Sequence, residues 1–358
     1  MIDFLVIGGG IAGVSAGARL SHLGKVTLLE RESALGYHAS GRSAALFEEN
    51  YGKPSTIALN MASKAYHQTA NGGVLSQRGL MLIGTAQTDE AFDTDCAVMK
   101  LPEISVAEAR GHIPILNDAV TRAALDTEAW DIDTDRLIQN FAAEIRSNGG
   151  AVVPKSEVTA IERRPHGWQV RCGEASYEAK TLVNAAGAWV DQIARLAGIT
   201  PLGVTPLRRS MARIPAPGGH DVARWPMLFG PGEDWYAKPD AGALIVSPAE
   251  EDPSEPMDAW ADDMVLAEGL ARYEAHVTEP VTRLLTSWAG LRTFSPDRQL
   301  VLGRSVDDPG FVWSAGQGGY GFQTAPAASQ LIAELVAGEQ TTLDAEMVAR
   351  LSPARFRQ

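Results

Sequence analysis

Three glycines near the amino terminus have the spacing of a phosphate-binding turn. Gly8, Gly10 and Gly13 form a GxGxxG pattern between an apolar run and a stretch with helical periodicity. The first glycine of such a turn permits a tight bend, the second lets the backbone approach a pyrophosphate, and the third allows close packing of helix on strand. Glu30 ends the next apolar run, where a carboxylate hydrogen-bonds an adenosine ribose and disfavours a 2′-phosphate. The pattern therefore predicts a dinucleotide other than NADP.

The glycine motif does not separate NAD from FAD, but the remainder of the chain favours FAD. A polar loop of small residues at 36–45 suits an extended dinucleotide whose ring system lies far from the first helix. A second strand, glycine turn and helix pattern occupies 311–336, where backbone N–H groups and a helix N-terminus suit the pyrimidine oxygens and N1 of a flavin. A domain that binds only NAD would normally be complete within ~150 residues. It would not need the second glycine turn, which lies more than 300 residues along the chain.

The elements that must position these residues alternate between strand and helix. Strands over 4–7 and 25–30 flank a helix over 11–23, which together form a βαβ unit. A strong helix follows Asp133, an N-cap candidate, and a strand is predicted over 158–163. Further helices are predicted over 54–68, 88–100, 105–109, 264–278 and 325–336.

Composition and charge exclude several classes of protein. The chain has 358 residues, 45% hydrophobic and 21% charged, which is typical of a globular protein of roughly two domains. The formal charge of -13 argues against a nucleic-acid partner. Cys96 and Cys172 match no metal spacing, so we predict no metal site and a reducing, cytoplasmic location. No window approaches the ~18 apolar residues of a membrane span, and the apolar start is predicted to be a strand rather than a signal peptide.

Eight motifs occur in order along almost the whole chain: GGGIAGVSAG, GYHASGRSAA, DIDTDRL, LVNAAGAWVD, PLRRS, YAKPDAG, WAGLRTF and GQGGYGFQT. This ordered set resembles the D-amino-acid oxidase family of FAD-dependent oxidoreductases, which includes glycine oxidase and sarcosine oxidase. The resemblance implies an α/β fold with a Rossmann-like FAD-binding domain of discontinuous segments and an α+β substrate domain whose antiparallel sheet covers the flavin. The expected boundaries are 1–72, 134–198 and 293–358 for the FAD-binding domain, and 73–133 and 199–292 for the substrate domain.

The resemblance also implies which residues contact FAD. Val158, on the strand after the DIDTDRL helix, would lie against the adenine. His38 stands where some relatives attach flavin covalently, but other relatives with this Tyr-His pair bind FAD noncovalently, so a dissociable flavin is expected. The residues assigned to FAD are Gly8, Gly10, Ile11, Ala12, Gly13, Glu30, Arg31, Arg42, Ser43, Ala44, Ala45, Val158, Ala186, Gly187, Gly318, Gly319, Tyr320, Gly321, Phe322 and Gln323.

For the substrate, the family resemblance implies a carboxylate clamp and a hydride transfer from Cα to flavin N5. Arg292 is the candidate clamp, because a guanidinium binds both carboxylate oxygens in one plane. Arg209 and Tyr236 are carried over as further pocket residues, and Tyr51 as part of a mobile lid. The carbonyl of Gly319 is the expected acceptor for the substrate amine. The product would be an imino acid, which water converts to a 2-oxo acid and ammonia.

The expected side-chain pocket departs from that of family members that oxidise D-arginine. Leu46 replaces a histidine, and Leu80 replaces the glutamate that receives the cationic end of the substrate. Leaving a cation without its partner costs a few kcal/mol when the group is buried. We therefore expect a neutral or hydrophobic side chain, with Glu48 or Glu49 as alternative acceptors for a basic one.

Two other functions are compatible with these residues. One is a different reaction on the same scaffold, by a secondary-amine oxidase of the sarcosine or glycine type or an FAD-dependent 2-hydroxy acid dehydrogenase. The other is a non-catalytic flavin subunit that passes electrons to a partner, which would not need Arg209, Tyr236 and Arg292 together. The electron acceptor, oxygen or a quinone-type molecule, is left open.

Overall fold

The structure is a computed structural model that describes residues 1–357. Its helices are α1 (Ile11–Leu20), α2 (Pro54–Thr69), α3 (Asp89–Met99), α4 (Val106–His112), α5 (Thr134–Ser147), α6 (Val190–Leu196), α7 (Asp263–Glu274), α8 (Gly321–Ala337) and α9 (Ala345–Leu351). Its strands are β1 (Ile2–Ile7), β2 (Val26–Leu29), β3 (Leu46–Phe47), β4 (Leu75–Gln77), β5 (Leu80–Gly84), β6 (Glu103–Ile104), β7 (Arg122–Asp126), β8 (Trp130–Ile132), β9 (Ala151–Val153), β10 (Ala160–Arg164), β11 (Gly167–Cys172), β12 (Ala175–Asn184), β13 (Thr205–Pro215), β14 (Met227–Phe229), β15 (Tyr236–Asp240), β16 (Ala243–Ser247), β17 (Asp252–Pro253), β18 (Thr286–Phe294), β19 (Val301–Arg304) and β20 (Phe311–Ala315).

The first sheet has a parallel centre with antiparallel edges. Strands β9, β2, β1, β12 and β20 run parallel and adjacent, the β10–β11 hairpin pairs with the first half of β12, and β19 pairs with β20. The four residues of β2 are all buried, as expected for a strand covered on both faces. Helices α1, α5 and α8 pack on one face in a shared apolar core, and α6 packs on the other. The predicted α/β fold with a Rossmann-like unit is confirmed.

The second sheet has nine strands and is antiparallel at every pair except β14 with β5. Its longest ladder joins β13 to β18 over nine residue pairs, from Thr205 opposite Phe294 to Arg213 opposite Thr286. A small sheet of β3, β8 and β4 lies next to the segment that precedes α2. The proposed domain boundaries stay a prediction.

Val158 does not lie on a strand, contrary to the sequence expectation. Strand β9 ends at Val153, because Pro154 has no N–H to donate and Lys155 adopts a φ of 55°. Pairing resumes where Ala160 lies opposite Arg171. Val158 therefore lies in the connection between the two strands.

Helix α7 is shorter than predicted, since it ends at Glu274 rather than 278. The following residues turn away to pair Leu116 with Val277 in an isolated bridge. Among residues 1–357, no helix is both long and apolar enough to cross a membrane.

Candidate active site

A cavity of about 280 Å³ lies where the carboxyl ends of β1 and β2 meet the β13–β18 ladder. Its wall contains most residues assigned to FAD, together with Arg209 and Arg292. Those assigned residues are Gly8, Gly10, Ile11, Ala12, Glu30, Arg31, Arg42, Ser43, Ala44, Val158, Ala186, Gly187, Gly318, Gly319, Gly321 and Phe322. The other predicted residues, which do not line the cavity, are Gly13, Ala45, Leu46, Glu48, Tyr51, Leu80, Tyr236, Tyr320 and Gln323.

The glycine turn after β1 has the geometry of a phosphate cradle. Gly8 has a φ of 110°, and a Cβ on Gly13 would lie 1.9 Å from the Gly8 carbonyl oxygen, so both positions require glycine. A Cβ on Gly10 would approach Ser40 Oγ at 3.2 Å and otherwise extend into the cavity. Gly10 is also the N-cap of α1 and forms no side-chain cap. Ser40 Oγ accepts the Ile11 N–H at 3.0 Å, but the Ala12 N–H has no hydrogen-bond partner among residues 1–357 and is available to an anion. This turn fits a pyrophosphate.

Glu30 is fixed before any ribose binds. Its Oε2 accepts the Gly9 N–H at 2.6 Å, and its Oε1 accepts the Glu32 N–H at 2.7 Å. The side chain is buried but lines the cavity. Each carboxylate oxygen has a further lone pair, so the predicted ribose contact is compatible with both bonds.

The loop beside the expected flavin position is held by a lysine that the sequence analysis missed. Lys238 Nζ donates to the carbonyl oxygens of Ala44 and Ala45 at 3.1 and 2.7 Å. It also pairs with Asp131 at 2.8 Å. Burial lowers the pKa of Lys238, while Asp131 raises it. A lysine inside the buried YAKPD strand was the available signal, because a buried cation needs partners.

Arg42 joins the same loop to the segment before α7. Its Nη1 donates to the carbonyl oxygens of Ala259 and Ala289 at 2.8 and 2.9 Å. Its Nη2 pairs with Asp258. These bonds use the guanidinium within the protein, so Arg42 shapes the cavity wall as part of this link.

His38 is also bonded within the protein. Its Nε2 lies 2.9 Å from Glu32 Oε1 and 3.1 Å from Arg31 Nη2, and its ring lies 4.8 Å from the Trp189 ring. These contacts give the His38 ring partners within the protein, and noncovalent binding of flavin stays a prediction.

The register of the β13–β18 ladder brings the two predicted arginines together. Arg209 lies opposite Gly290, and Leu207 lies opposite Arg292. Because alternate residues of a strand point to the same face, Arg209 and Arg292 are diagonal neighbours on one face of the sheet. That face lines the cavity.

Arg292 has a free guanidinium. Within residues 1–357 it forms no hydrogen bond and no ion pair, although a Cβ on Gly319 would lie only 3.1 Å from its Cζ. Burial opposes its positive charge, but Tyr236, Tyr51 and Glu233 nearby hold the pKa of Arg292 above its ordinary value. A charged guanidinium with unused donors beside a cavity is suited to bind an anion, and best a carboxylate.

Arg209 is more deeply placed and partly bonded. It is 4% exposed, its Nε donates to the Glu250 carbonyl oxygen at 3.0 Å, and its Nη2 lies 3.5 Å from Glu251 Oε1. Burial and then the like charge of Arg292 lower the pKa of Arg209. An anion bound at both guanidinium groups would relieve this repulsion.

Tyrosines surround the arginine pair. Tyr236 Oη donates to Met211 Sδ at 3.3 Å, and Tyr51 Oη donates to Glu233 Oε2 at 2.9 Å. Tyr320, assigned to FAD from the sequence, places its ring 5.2 Å from that of Tyr51. It therefore belongs with the residues around Arg292.

Leu46 and Leu80 form an apolar group with Tyr51, Tyr236 and Phe229. Leu80 is 4% exposed, and Leu46 is half-buried. Their apolar group adjoins the tyrosines of the arginine pair, which is compatible with the predicted side-chain pocket. The pocket assignment stays a prediction.

The two glutamates considered as acceptors for a basic side chain are both engaged. Glu48 is buried, and its Oε1 accepts the Asn50 N–H at 2.9 Å. Burial and the facing carboxyl group of Asp126 raise the pKa of Glu48 to about 8, so it is mostly protonated at neutral pH. Glu49 pairs with Lys64 at 2.7 Å.

Residues 3–335 match the family model described as DAO, FAD dependent oxidoreductase. The chain belongs to this family. FAD is its cofactor, and the protein is an FAD-dependent oxidoreductase. Within residues 1–357, no group of three or more His, Cys, Asp or Glu side chains is arranged to hold a metal ion.

Curated DAO relatives have varied activities. The chain is 26% identical over 383 residues to the tRNA 5-methylaminomethyl-2-thiouridine biosynthesis bifunctional protein MnmC of Thiobacillus denitrificans, covering 98% of this chain and 59% of that protein. It is 22% identical to glycerol 3-phosphate dehydrogenase of Caloramator mitchellensis, covering 94% of this chain and 74% of that protein. L-2-hydroxyglutarate dehydrogenase of Escherichia coli is 26% identical over 56% of this chain and 51% of its own length. The chain thus spans just over half of two of these three relatives.

Solved structures of the same fold are similar over nearly the whole chain. L-proline dehydrogenase of P. horikoshii has a TM-score of 0.85 at 21% identity, covering 99% of this chain and 98% of its own. Glycine oxidase of Geobacillus kaustophilus has a TM-score of 0.84 at 21% identity, with the same coverage. L-alpha-glycerophosphate oxidase of Mycoplasma pneumoniae, solved with FAD bound, has a TM-score of 0.86 at 19% identity, covering 95% of each chain. These likenesses establish the fold.

Proposed function

We propose that the protein oxidises a D-amino acid to its imino acid, which hydrolyses to a 2-oxo acid and ammonia. The observation that carries this proposal is the free guanidinium of Arg292, diagonal to Arg209 and in contact with Gly319 at the cavity wall. An α-amino acid offers a carboxylate for the guanidinium groups and an amine for a backbone carbonyl, so its two polar groups match this arrangement.

The residues of the chain orient the substrate, and FAD, when bound, accepts the hydride from Cα. Arg292 holds the carboxylate in plane, Arg209 contributes a second positive charge, and Tyr51 and Tyr236 lie beside the arginine pair as further pocket residues. The carbonyl of Gly319 accepts the amine N–H. Positioning of this kind contributes to rate because it fixes the reacting carbon before the transfer.

The side chain of the substrate is neutral or hydrophobic where it meets Leu46 and Leu80. The motifs of the chain resemble those of D-arginine dehydrogenases, but these two leucines replace the polar pocket residues found there. An apolar wall stabilises an apolar stem by about 25 cal/mol per Å² of surface removed from water.

Anaerobic mixing of the flavoprotein with a panel of D- and L-amino acids tests the reaction. We expect neutral D-amino acids to bleach the oxidised flavin absorbance and L-enantiomers to leave it unchanged. Readmission of air then separates an oxidase from a dehydrogenase that needs a quinone-type acceptor. Failure of every D-amino acid to bleach the flavin would contradict the proposal.

The arginine clamp is tested by a matched pair of variants. We expect Arg292→Ala to lower kcat/KM by about 100-fold or more with FAD retained, because a charge-assisted pair is lost. Arg208→Ala is the control, since Arg208 lies next to Arg209 in β13 but pairs with Asp252 at 3.1 Å. Unchanged kinetics in Arg292→Ala would remove Arg292 from the site.

A second candidate is oxidation of a secondary amine or a 2-hydroxy acid by the same carboxylate clamp. It is favoured by the similarity to L-proline dehydrogenase and to L-2-hydroxyglutarate dehydrogenase, because proline is a secondary amine and 2-hydroxyglutarate is a 2-hydroxy acid. N-methyl amino acids and 2-hydroxy acids in the same panel separate these reactions. Bleaching by these compounds alone would replace the D-amino acid proposal.

A further inference from the structure

Helix α2 has a buried face made of polar residues. Thr56, Asn60, Ser63 and His67 are fully buried, and their spacing of four, three and four residues places them on one side of the helix. A buried helix face is normally apolar, because each buried polar group needs a hydrogen-bond partner. Asn60 Nδ2 donates to the Tyr51 carbonyl oxygen at 3.1 Å, which holds the segment before α2. Ser63 and His67 instead bond to α8.

The bonds to α8 lie where a proline interrupts that helix. Pro326 lies inside α8 and has no N–H, so it cannot donate to the carbonyl oxygen four residues earlier. The next N–H, that of Ala327, donates to Ser63 Oγ at 3.1 Å, and Ser63 Oγ donates to the Thr324 carbonyl oxygen at 3.3 Å. The first turn of α8, residues 321–324, is therefore bonded to α2 at the point where its own helix loses a hydrogen bond.

His67 forms the second bond between α2 and this turn. Its Nε2 lies 3.0 Å from the Gln323 carbonyl oxygen, which can only accept, so Nε2 carries the ring proton and donates it. Burial lowers the pKa of His67 to about 4, so the imidazole is neutral at pH 7. Nδ1 has no hydrogen-bond partner among residues 1–357, so the bond to α8 is the one that orients the ring.

The same turn of α8 forms part of the wall of the FAD cavity. Gly321 and Phe322 line the cavity, and their N–H groups have no hydrogen-bond partner among residues 1–357. N–H groups at the start of a helix carry partial positive charge, which stabilises negative charge on a nearby group. Reduction makes a flavin ring more negative, so the direction of this turn affects both FAD binding and the flavin potential.

We propose that His67 is a positioning residue for FAD. Together with Ser63, it holds the first turn of α8 so that the N–H groups of Gly321 and Phe322 point into the cavity. Without the His67 donor, the Gln323 carbonyl oxygen is left buried without this partner and the turn is released from α2. The inference rests on the FAD cofactor and on the contact between α2 and α8, and it is independent of which substrate is oxidised.

The test uses two measurements that need no turnover. The Kd of FAD is measured by titrating the apoprotein, and the midpoint potential of the bound flavin is measured on FAD-saturated protein with redox dyes. We expect His67→Leu to raise the Kd about tenfold, the size of one lost hydrogen bond. We also expect a more negative midpoint potential, because the partial positive charge of the helix start no longer favours the reduced flavin.

Two further variants separate the donor from the shape of the side chain. His67→Gln places an amide N–H within similar reach of the Gln323 carbonyl oxygen, and we expect its FAD Kd to stay within about twofold of the unmodified protein. Ser63→Ala removes the other link to α8, and we expect a smaller change of Kd and potential in the same direction as in His67→Leu. Ser63→Ala decides the question if His67→Leu does not fold.

Ile113→Ala is the control for a general loss of stability. Ile113 is buried in an apolar core of the second sheet that shares no residue with the FAD cavity. We expect this variant to melt at a lower temperature, as His67→Leu does, but to keep the FAD Kd and the midpoint potential of the unmodified protein.

The inference is overturned if His67→Leu, or Ser63→Ala in its place, lowers the melting temperature but leaves the FAD Kd and the potential unchanged. It is also overturned if His67→Gln loses as much FAD affinity as His67→Leu, because the donor would then not be the feature that matters. A shift of Kd and potential in His67→Leu, with near-normal values in His67→Gln and Ile113→Ala, supports it. That result stands even if no D-amino acid reduces the flavin and the proposed function fails.

Discussion

At the scale of single residues, Glu48 gives the protein a pH dependence that its sequence does not suggest. The carboxyl group is 3% exposed and faces Asp126, and its Oε2 has no hydrogen-bond partner among residues 1–357. Its pKa is raised from 4.5 to about 8, first by burial and then by Asp126. The protonated form therefore contributes stability that is complete below pH 4.5 and is lost as the pH rises through about 8.

Glu48→Gln should remove this loss, because an amide has the same shape and does not ionise. We expect the melting temperature of the variant to match that of the unmodified protein near pH 5 and to exceed it by about 2 °C at pH 8.5. Thermal melts of the FAD-loaded protein across this range check the trend. Glu49→Gln is the control, since it breaks only a partly exposed pair with Lys64, and an equal pH trend in it would contradict the assignment to Glu48.

At the scale of elements, Lys238 fixes the loop before β3 to the second sheet. One ammonium group on β15 binds two carbonyl oxygens of the loop before β3 and the carboxylate of Asp131 on β8. Arg78 also pairs with Asp131 at 2.7 Å, so this carboxylate has a second partner. The loop is thus positioned by a buried lysine rather than by strand pairing of its own.

Lys238→Met keeps an apolar side chain and removes the two hydrogen bonds to the loop and the ion pair with Asp131. We expect a loss of about 2 kcal/mol in the free energy of unfolding, because the half-buried carbonyl oxygens of Ala44 and Ala45 lose their donor. We also expect weaker FAD binding, since the loop wall of the cavity is released. Titration of the apoprotein with FAD and thermal melts measure both effects. Lys180→Met, which removes an exposed pair with Asp3, should change neither, and FAD affinity equal to the unmodified protein in Lys238→Met would contradict this role.

At the scale of the whole molecule, the cavity lined by the glycine turn and the arginine pair joins the two large sheets. Its wall includes the turn after β1 in the first sheet and residues of β13 and β18 in the second. A cofactor bound to both sheets stabilises the folded molecule by its binding free energy, which is about 2.7 kcal/mol at a free FAD concentration 100 times the Kd.

We expect FAD to be released by acid precipitation and to be found entirely in the supernatant. Removal should lower the melting temperature, and added FAD should restore it in a concentration-dependent way. His38→Ala should release flavin in the same manner, because a dissociable flavin has no bond to the His38 ring. Yellow colour that stays with the precipitated protein would show a covalent bond and contradict the prediction.

The sequence by itself determined the features that depend on neighbours in the chain. The βαβ unit follows from alternation of apolar runs, and only glycine fits at Gly8 and Gly13 because the turn and the helix packing exclude a Cβ. Helix α5 begins after Asp133, whose carboxylate accepts the Arg136 N–H at 3.0 Å. These patterns depend only on residues that are close in sequence, so they can be recognised without the tertiary structure.

Only the tertiary structure decided which distant groups meet. Tyr51 and Glu233 are 182 positions apart, and their contact depends on where the turn after β14 folds relative to the lid. The register of β13 with β18 aligned Arg209 and Arg292, and a shift by one residue would place them on opposite faces. The protonated state of Glu48 likewise depends on burial and on Asp126, because a pKa is set by the solvent and charges around a group rather than by its residue type.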